Sequence, residues 1–286
     1  MKDLEYNKVL AYQGVAGANQ HLVCKTYFPK ATYKPYQTFE EVFAAVENEE
    51  VGLGLVPIEN SCSGRVSEIH NLLRKTELYI VGEYFLDIRH HLAAVKGTKI
   101  EDVKMVISHP QALMQCTDNI KKHNLERMSY LNTALAAQYV KDKQDTSVAA
   151  LCSDLAAEVN GLEILKEDFQ DQIGNKTIFI VIARQMSYLE EKSKKKITTL
   201  LYDTRNIPGG IYKTLGGFAT NNVNIIKLES YIPGGVSNEA QFFISFEGAP
   251  DDDNVKLALE ELGFFSKKIK LLGVYDSANE RNSSKN

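Results

Sequence analysis

Asn175, Thr177 and Phe179 stand two residues apart at the start of an apolar run that continues Ile180-Val181-Ile182. A continuous run of β-branched and aromatic residues fits a strand covered on both faces. Strand side chains alternate with period two, so Thr177 and Phe179 face one way and Ile178 the other. A threonine hydroxyl at the mouth of such a strand can donate a proton or a hydrogen bond in a dry pocket.

A second polar set is Pro57-Ile58-Glu59-Asn60-Ser61-Cys62-Ser63-Gly64, which follows the predicted strand Val51–Val56. It offers a hydrogen-bonding wall to an anionic ligand, with Asn60 and Ser61 as donors. Glu59 is then a base, a positioning group or a brace for backbone amides. A polar loop with an Asn/Ser helix cap explains the same residues equally well. In Ser108-His109-Pro110-Gln111 a helix opens whose exposed N–H groups favour an anion. Gln111 and Gln115 lie four apart and share a face of it. Capping by Ser108, with His109 an ordinary surface histidine, is the plainer reading of that segment.

Gly14-Val15-Ala16-Gly17, after the strand Val9–Tyr12, can bring backbone amides close to a carboxylate. It lacks the third glycine of a dinucleotide fingerprint and the Gly-Lys-Ser/Thr of a phosphate loop, so nucleotide binding is rejected. No acids and histidines have metal spacing, and no Gly-x-Ser-x-Gly elbow occurs. What remains is a set of neutral donors: Asn60, Ser61, Ser108, Gln115, Thr133, Asn175 and Thr177. Such a set suits electrostatic catalysis on a substrate that carries its own leaving groups. It suits a passive binding protein equally.

These residues sit at element ends. Strands are expected at 79–84, 91–95, 103–108 and 147–150, and helices at 38–46, 110–116, 133–140 and 153–160. Thr38 with Glu41 makes a capping box, and Gly161 closes the last of these helices. The alternation argues an α/β fold with mixed or parallel sheets, in which ligands bind outside the carboxyl ends of strands. A charged run at Ser187–Lys196 reads as a linker. Beyond it come a strand 197–203, a helix 211–220, strands 225–231 and 239–247 about a Pro233-Gly234-Gly235 turn, a helix 250–262 and a strand 269–274. That β-α-β-β-α-β order is the ferredoxin-like split motif, and the tail from Asp276 is expected to be disordered.

The chain has 286 residues, 44% hydrophobic and 24% charged, with a net charge of −4. That balance is ordinary for a soluble globular protein and gives no electrostatic case for nucleic acid or an anionic membrane as a partner. No apolar run reaches the roughly 20 residues that span a bilayer. The polar N-terminus is not a secretory signal. The four cysteines form no Cys-x-x-Cys pair, which fits reduced thiols in a cytoplasmic protein.

Taken in order, five segments resemble the prephenate dehydratase family: Ala11–Ala18, Val56–Ser61 with Gly64, Ser108–Cys116, Thr133 with Ala136-Ala137, and Asn175–Phe179. The last matches the family's Thr-Arg-Phe signature except that Ile178 replaces the arginine. Pro208-Gly209-Gly210-Ile211-Tyr212 and Lys227-Leu228-Glu229-Ser230 resemble its ACT regulatory domain, with Tyr231-Ile232 where the family has Arg-Pro.

The resemblance implies a two-lobed, type 2 periplasmic-binding-protein-like catalytic domain at 7–188, with lobes of about 7–84 plus 174–188 and about 85–173. A ferredoxin-like ACT domain follows at 197–276. It implies conversion of prephenate to phenylpyruvate without a cofactor or metal. Thr177 would assist the leaving hydroxyl, with Glu59, Asn60, Ser61, Ser108 and Gln115 beside it. Tyr12, Gly14, Gln111, Thr133, Asn175 and Phe179 would bind the substrate. Phenylalanine would act as an allosteric ligand at Gly209, Gly210, Ile211, Asn224, Leu228, Glu229 and Ser230, in a dimer or tetramer joined through the ACT domain. Arogenate dehydration, or phenylalanine sensing without catalysis given Ile178, are the alternatives.

Overall fold

β1 (Val9–Gln13) is a five-residue strand whose centre is buried, and it runs into α1 (Asn19–Tyr27) through the two-glycine turn. The structure, a computed structural model, describes residues 9–186, 195–231, 240–278 and 281. β2 (Thr32–Tyr36) was not foreseen, because Pro35 interrupts its pattern. It lies at a sheet edge, paired in parallel with β1 alone, where a missing N–H costs nothing. α2 (Phe39–Glu47) starts on the expected capping box: Glu41 N–H donates to Thr38 Oγ1 and Thr38 N–H to Glu41 Oε2, both at 3.2 Å.

β3 (Leu53–Asn60) is longer than expected and turns into the two-residue β4 (Gly64–Arg65). α3 (Ser67–Lys75) and β5 (Tyr79–Asp87) follow. Next come β6 (His91–Ala94), β7 (Met105–Ser108), α4 (Pro110–Gln115), α5 (Thr117–Lys122), β8 (Glu126–Ser129), α6 (Thr133–Lys143), β9 (Val148–Cys152), α7 (Asp154–Asn160) and β10 (Glu163–Lys166). Ser153 caps α7 by accepting from Ala156 N–H, and Gly161 ends it in the left-handed region at φ 66°, as the sequence requires. β11 (Lys176–Ala183) is the apolar run, buried from Phe179 onward.

The last elements are β12 (Lys196–Thr204), α8 (Gly210–Thr220), β13 (Ile225–Tyr231), β14 (Gln241–Glu247), α9 (Asp253–Phe265) and β15 (Ser266–Asp276), in the expected β-α-β-β-α-β order. The charged run 187–194, the turn at 233–235 and all of the tail but 276–278 and 281 lie outside the described residues.

The strands form three sheets in the orders β2-β1-β3-β11-β5 (with β4 on β3), β10-β6-β9-β7-β8, and β13-β14-β12-β15. The first two contain parallel pairs such as β1–β3 and β7–β9, and the second adds antiparallel β6–β9. The third is antiparallel at each of its pairings. The chain is thus an α/β protein with mixed sheets.

It divides into two compact units: Met1–Ala45, Val51–Ile69 and Tyr84–Phe179 in one, and Val46–Glu50, His70–Glu83 and Ile180–Asn286 in the other. In the first, the β6–β10 sheet is covered on both faces. Ala93, Ile107, Ala136, Ala137, Val140 and Cys152 pack on one side; Leu92, Val106, Leu113, Leu151 and Phe169 pack on the other.

In the second unit, Phe218, Phe242, Ile244, Phe246 and Leu262 form the core between α8, α9 and the sheet. Burying each such side chain contributes about 1.5–3 kcal/mol. β14 departs from the expected alternation, since Phe242 to Phe246 are all buried. Its other face carries Phe243, which meets the ring of His70 edge-on at 4.9 Å.

Candidate functional site

The site is built outward from Asn60, the last residue of β3. Its Oδ1 accepts from Cys62 N–H, Ser63 N–H and Ser63 Oγ, each at 3.0 Å. This Asx turn is a natural use of asparagine at a strand end. It also fixes the carboxamide: the oxygen faces the turn, so Nδ2 faces the other way. There it donates to Asn175 Oδ1 at 2.7 Å and to Thr177 Oγ1 at 2.9 Å. Ser61 joins the same two strand ends. Its N–H donates to Lys176 O at 2.8 Å, and its Oγ accepts from Lys176 N–H at 2.9 Å.

The direction of these bonds propagates. Asn175 Oδ1 is an acceptor from Asn60, so Asn175 Nδ2 is the group that donates to Gln115 Oε1, at 3.0 Å. Gln115 Oε1 is also 2.9 Å from His90 Nε2. A carboxamide oxygen only accepts, so His90 carries its proton on Nε2. Burial holds the His90 imidazole below its ordinary pKa; the Gln115 bond raises it in part and His91 lowers it again. At neutral pH His90 is therefore an uncharged donor. Within this network the Thr177 hydroxyl hydrogen and the two Gln115 amide hydrogens donate to no protein acceptor among the described residues.

Both groups line a cavity of about 420 Å³, within the range of small-molecule sites. Gln13, Gly14, Ala18, Asn19 and Gln20 contribute from β1 and the start of α1. His109, Gln111 and Gln115 come from α4, Leu131, Asn132 and Thr133 from the start of α6, and Asn60, Ser63, His90, Asn175, Thr177 and Phe179 complete it with others. The lining contains no Asp, Glu, Lys or Arg. α1 opens on Ala18 with no side-chain cap, so its first N–H groups are open to an anion. Asn132 caps α6, accepting from Leu135 N–H at 2.7 Å. Among the described residues no group of three or more His, Cys, Asp or Glu could hold a metal ion, and no helix is long and apolar enough to cross a membrane.

Eight of the residues picked from the sequence line this cavity together: Gly14, Asn60, Gln111, Gln115, Thr133, Asn175, Thr177 and Phe179. Ile178 does not, consistent with strand alternation. The others lie elsewhere. Tyr12 is buried in the sheet and stacks on His21 at 5.4 Å; burial pushes its hydroxyl up to about 12. Glu59 pairs with Arg65 across the β3–β4 register, on the alternate side from the lining residue Asn60.

Ser61 braces backbone rather than lining the cavity, and Ser108 is fully buried, donating to Leu151 O on the neighbouring strand at 2.7 Å. Ser108 does not cap α4 either; His109 does, its Nδ1 accepting from Gln111 N–H at 3.3 Å. Asn19, Gln20, His90 and Asn132 were missed, and of these Asn132 alone had a local signal, as a polar residue at an element boundary; Gln13 was legible with Tyr12 as the polar end of the first strand.

In the second unit, Gly209 takes φ +70° and precedes α8, and a Cβ on Gly210 would meet Arg205 O at 2.8 Å. Ile211 is half-exposed, Leu228, Glu229 and Ser230 lie on the edge strand β13, and Asn224 O accepts from Glu247 N–H at 2.9 Å. Tyr231, at the end of β13, hydrogen-bonds His70 Nδ1 through its hydroxyl, and the Arg74 guanidinium lies over its ring at 5.5 Å.

An α/β fold of mixed sheets, with a cavity walled by amides, hydroxyls and a helix start and lined by no Asp, Glu, Lys or Arg, is the class of architecture these residues define. Within it, the chain belongs to the prephenate dehydratase family, whose model matches residues 10–187. It is 39% identical over 274 residues to a bifunctional N-acyl-homoserine lactone acylase/prephenate dehydratase from Komagataeibacter europaeus, covering 95% of this chain and 96% of that one. It is 34% identical over 280 residues to arogenate dehydratase/prephenate dehydratase 1 from Arabidopsis thaliana, covering 93% and 71%. The fold matches a solved prephenate dehydratase in complex with L-Phe from Arthrobacter aurescens, at a TM-score of 0.86, 27% identity and coverage of 95% and 91%. It also matches a quorum-quenching acylase, GqqA, at a TM-score of 0.89, 38% identity and coverage of 96% and 99%.

Proposed function

We propose that the chain is a prephenate dehydratase, a carbon–oxygen lyase that makes phenylpyruvate on the route to phenylalanine. The observation that carries this is the one-way bond from Asn60 Nδ2 to Thr177 Oγ1, which leaves the Thr177 O–H to donate into the cavity. In the reaction the ring carboxylate leaves as CO₂. Its C–C bonding pair restores the aromatic ring, and the C–O bond breaks with its electron pair on oxygen. Prephenate dianion thus gives phenylpyruvate anion, CO₂ and hydroxide, and a hydrogen bond from Thr177 stabilises the charge growing on that oxygen. Gln115, Gln111, Asn175 and the open start of α1 hold the carboxylates, and Phe179 excludes water. This electron flow requires no cofactor.

The catalytic domain is assigned to 7–188, with one lobe on each of the first two sheets, and an ACT domain to 197–276. The βαββαβ order supports the second assignment. Phenylalanine binding at Gly209–Ile211, Asn224 and Leu228–Ser230, feedback inhibition, assembly through this domain and a cytoplasmic location belong to the same reading.

Arogenate is the second reading, because relatives at similar identity carry its name. The lining favours prephenate: arogenate bears an ammonium, and no carboxylate lines the cavity to pair with it. Turnover of both substrates side by side, with phenylpyruvate followed in base, tests the reading. Efficient conversion of prephenate is expected. Turnover of arogenate alone, or of neither by the folded protein, contradicts it.

A further inference from the structure

His90 is buried, lines the cavity and has no part in the chemistry described above. It is also built in from its own backbone: its N–H donates to Gln170 Oε1 at 2.9 Å and its carbonyl accepts from Phe169 N–H at 2.7 Å. Its backbone is thereby tied to the segment that leads to Asn175, and its ring is held by the bond to Gln115 Oε1. That segment is tied down a second time at Asp171. Asp171 N–H donates to Gln115 O at 2.8 Å, and its carboxylate accepts from Asp118 N–H and Asn119 N–H at 2.9 and 3.0 Å.

We propose that His90 is a positioning residue for the dehydratase site, holding the Gln115 carboxamide so that its N–H₂ group faces the substrate. The reason lies in the chemistry of Gln115. An amide free to rotate presents either its oxygen or its nitrogen to a carboxylate, and only the nitrogen attracts it. Asn175 supplies one donor to Gln115 Oε1, and His90 Nε2–H supplies the other. With both lone pairs occupied, turning the amide over would lose both bonds and place N–H₂ against two donors in a part-buried site. His90 thus acts at one remove, through Gln115, and touches neither the leaving oxygen nor Thr177. The inference rests on the dehydratase reading for its kinetic test but not for its structural one.

The test is a double-mutant cycle on kcat/KM for prephenate in the full chain, with His90→Leu and Gln115→Met singly and together, and His90→Gln as rescue. Glutamine can place an N–H where His90 has Nε2–H, whereas leucine fills space without donating. His90→Leu is expected to lose about tenfold, the cost of one buried hydrogen bond, and His90→Gln to stay within about threefold of the wild type. In the Gln115→Met background the His90→Leu loss should shrink to within about twofold. Additive losses, or no rescue by glutamine, would overturn the positioning role.

A second arm uses no variant activity: ¹⁵N-histidine NMR of the wild type, with His90 assigned by its absence in His90→Gln. A neutral ring protonated at Nε2 is expected, and protonation at Nδ1 overturns the proposal whatever the variants' turnover. A wild type that makes no phenylpyruvate but shows the Nε2–H ring sinks the dehydratase reading and leaves the geometry of Gln115 standing.

Discussion

Asn60 Nδ2 donates to Thr177 Oγ1 at 2.9 Å while Asn60 Oδ1 accepts from the 62–63 turn, so the bond between these two residues has a fixed direction. A threonine that already accepts one hydrogen bond has its own proton to give elsewhere. The geometry of this site is set by strand ends and by a network of directed amide bonds, and the proposed reactivity rests on that network.

Asn60→Asp separates the two halves of that network. The aspartate keeps an oxygen for the Cys62 and Ser63 donors, so stability should stay within about 2 kcal/mol of the wild type. Its second oxygen faces Thr177 and takes the hydroxyl proton out of the cavity. Turnover should fall at least about tenfold, a fraction of one general-acid contribution. Thermal unfolding and kcat measured on one preparation check this; a variant that loses both together contradicts it.

Burial lowers the His90 pKa, so the unfolded chain binds a proton at this position more readily than the folded chain does. Its contribution to stability is therefore complete above the unfolded value of about 6.5 and is lost as pH falls through the window below it. His21 and His123 are lowered as well, also chiefly by burial, and act with the same sign. Urea titrations from pH 8 to pH 5 should show stability declining below about 6.5, with a shallower decline in His90→Gln. An unchanged slope in that variant would mean that His90 is not held neutral.

Gly17 takes φ +91°, and a Cβ there would lie 2.9 Å from Ala156 Cα on α7. Its carbonyl also accepts from Ser153 Oγ at 3.3 Å. Gly17→Ala therefore combines backbone strain with a clash against main chain, and should cost at least about 2 kcal/mol. The expected fall in Tm is about 4 °C or more by differential scanning calorimetry. Gly161→Ala, strained at φ +66° but with open space around the new methyl group, should cost less.

What the sequence revealed and what it hid follow from the range of the interactions. Asn60, Asn175 and Thr177 were legible because each is polar at the end of an apolar strand, where alternation decides its facing. The same rule picked out Ser108 and Ser61, yet both spend their hydroxyls on neighbouring backbone: Ser108 on Leu151 O, Ser61 between 174 and 176. Nothing local distinguishes a serine that bonds to the next strand from one that faces solvent. His90 was hidden because its role depends on Gln115, 25 residues away in the chain. β2 was hidden by Pro35, which is harmless only because the strand turned out to be at an edge.

The most direct measurement is kcat for prephenate in Thr177→Val and Thr177→Ser, with the fold checked by circular dichroism. Valine keeps the volume and removes the hydroxyl; serine keeps the hydroxyl. Thr177→Val should lose at least about a hundredfold and Thr177→Ser should retain most of the turnover. A folded Thr177→Val with near-normal turnover would show that no proton or hydrogen bond from this residue reaches the leaving group.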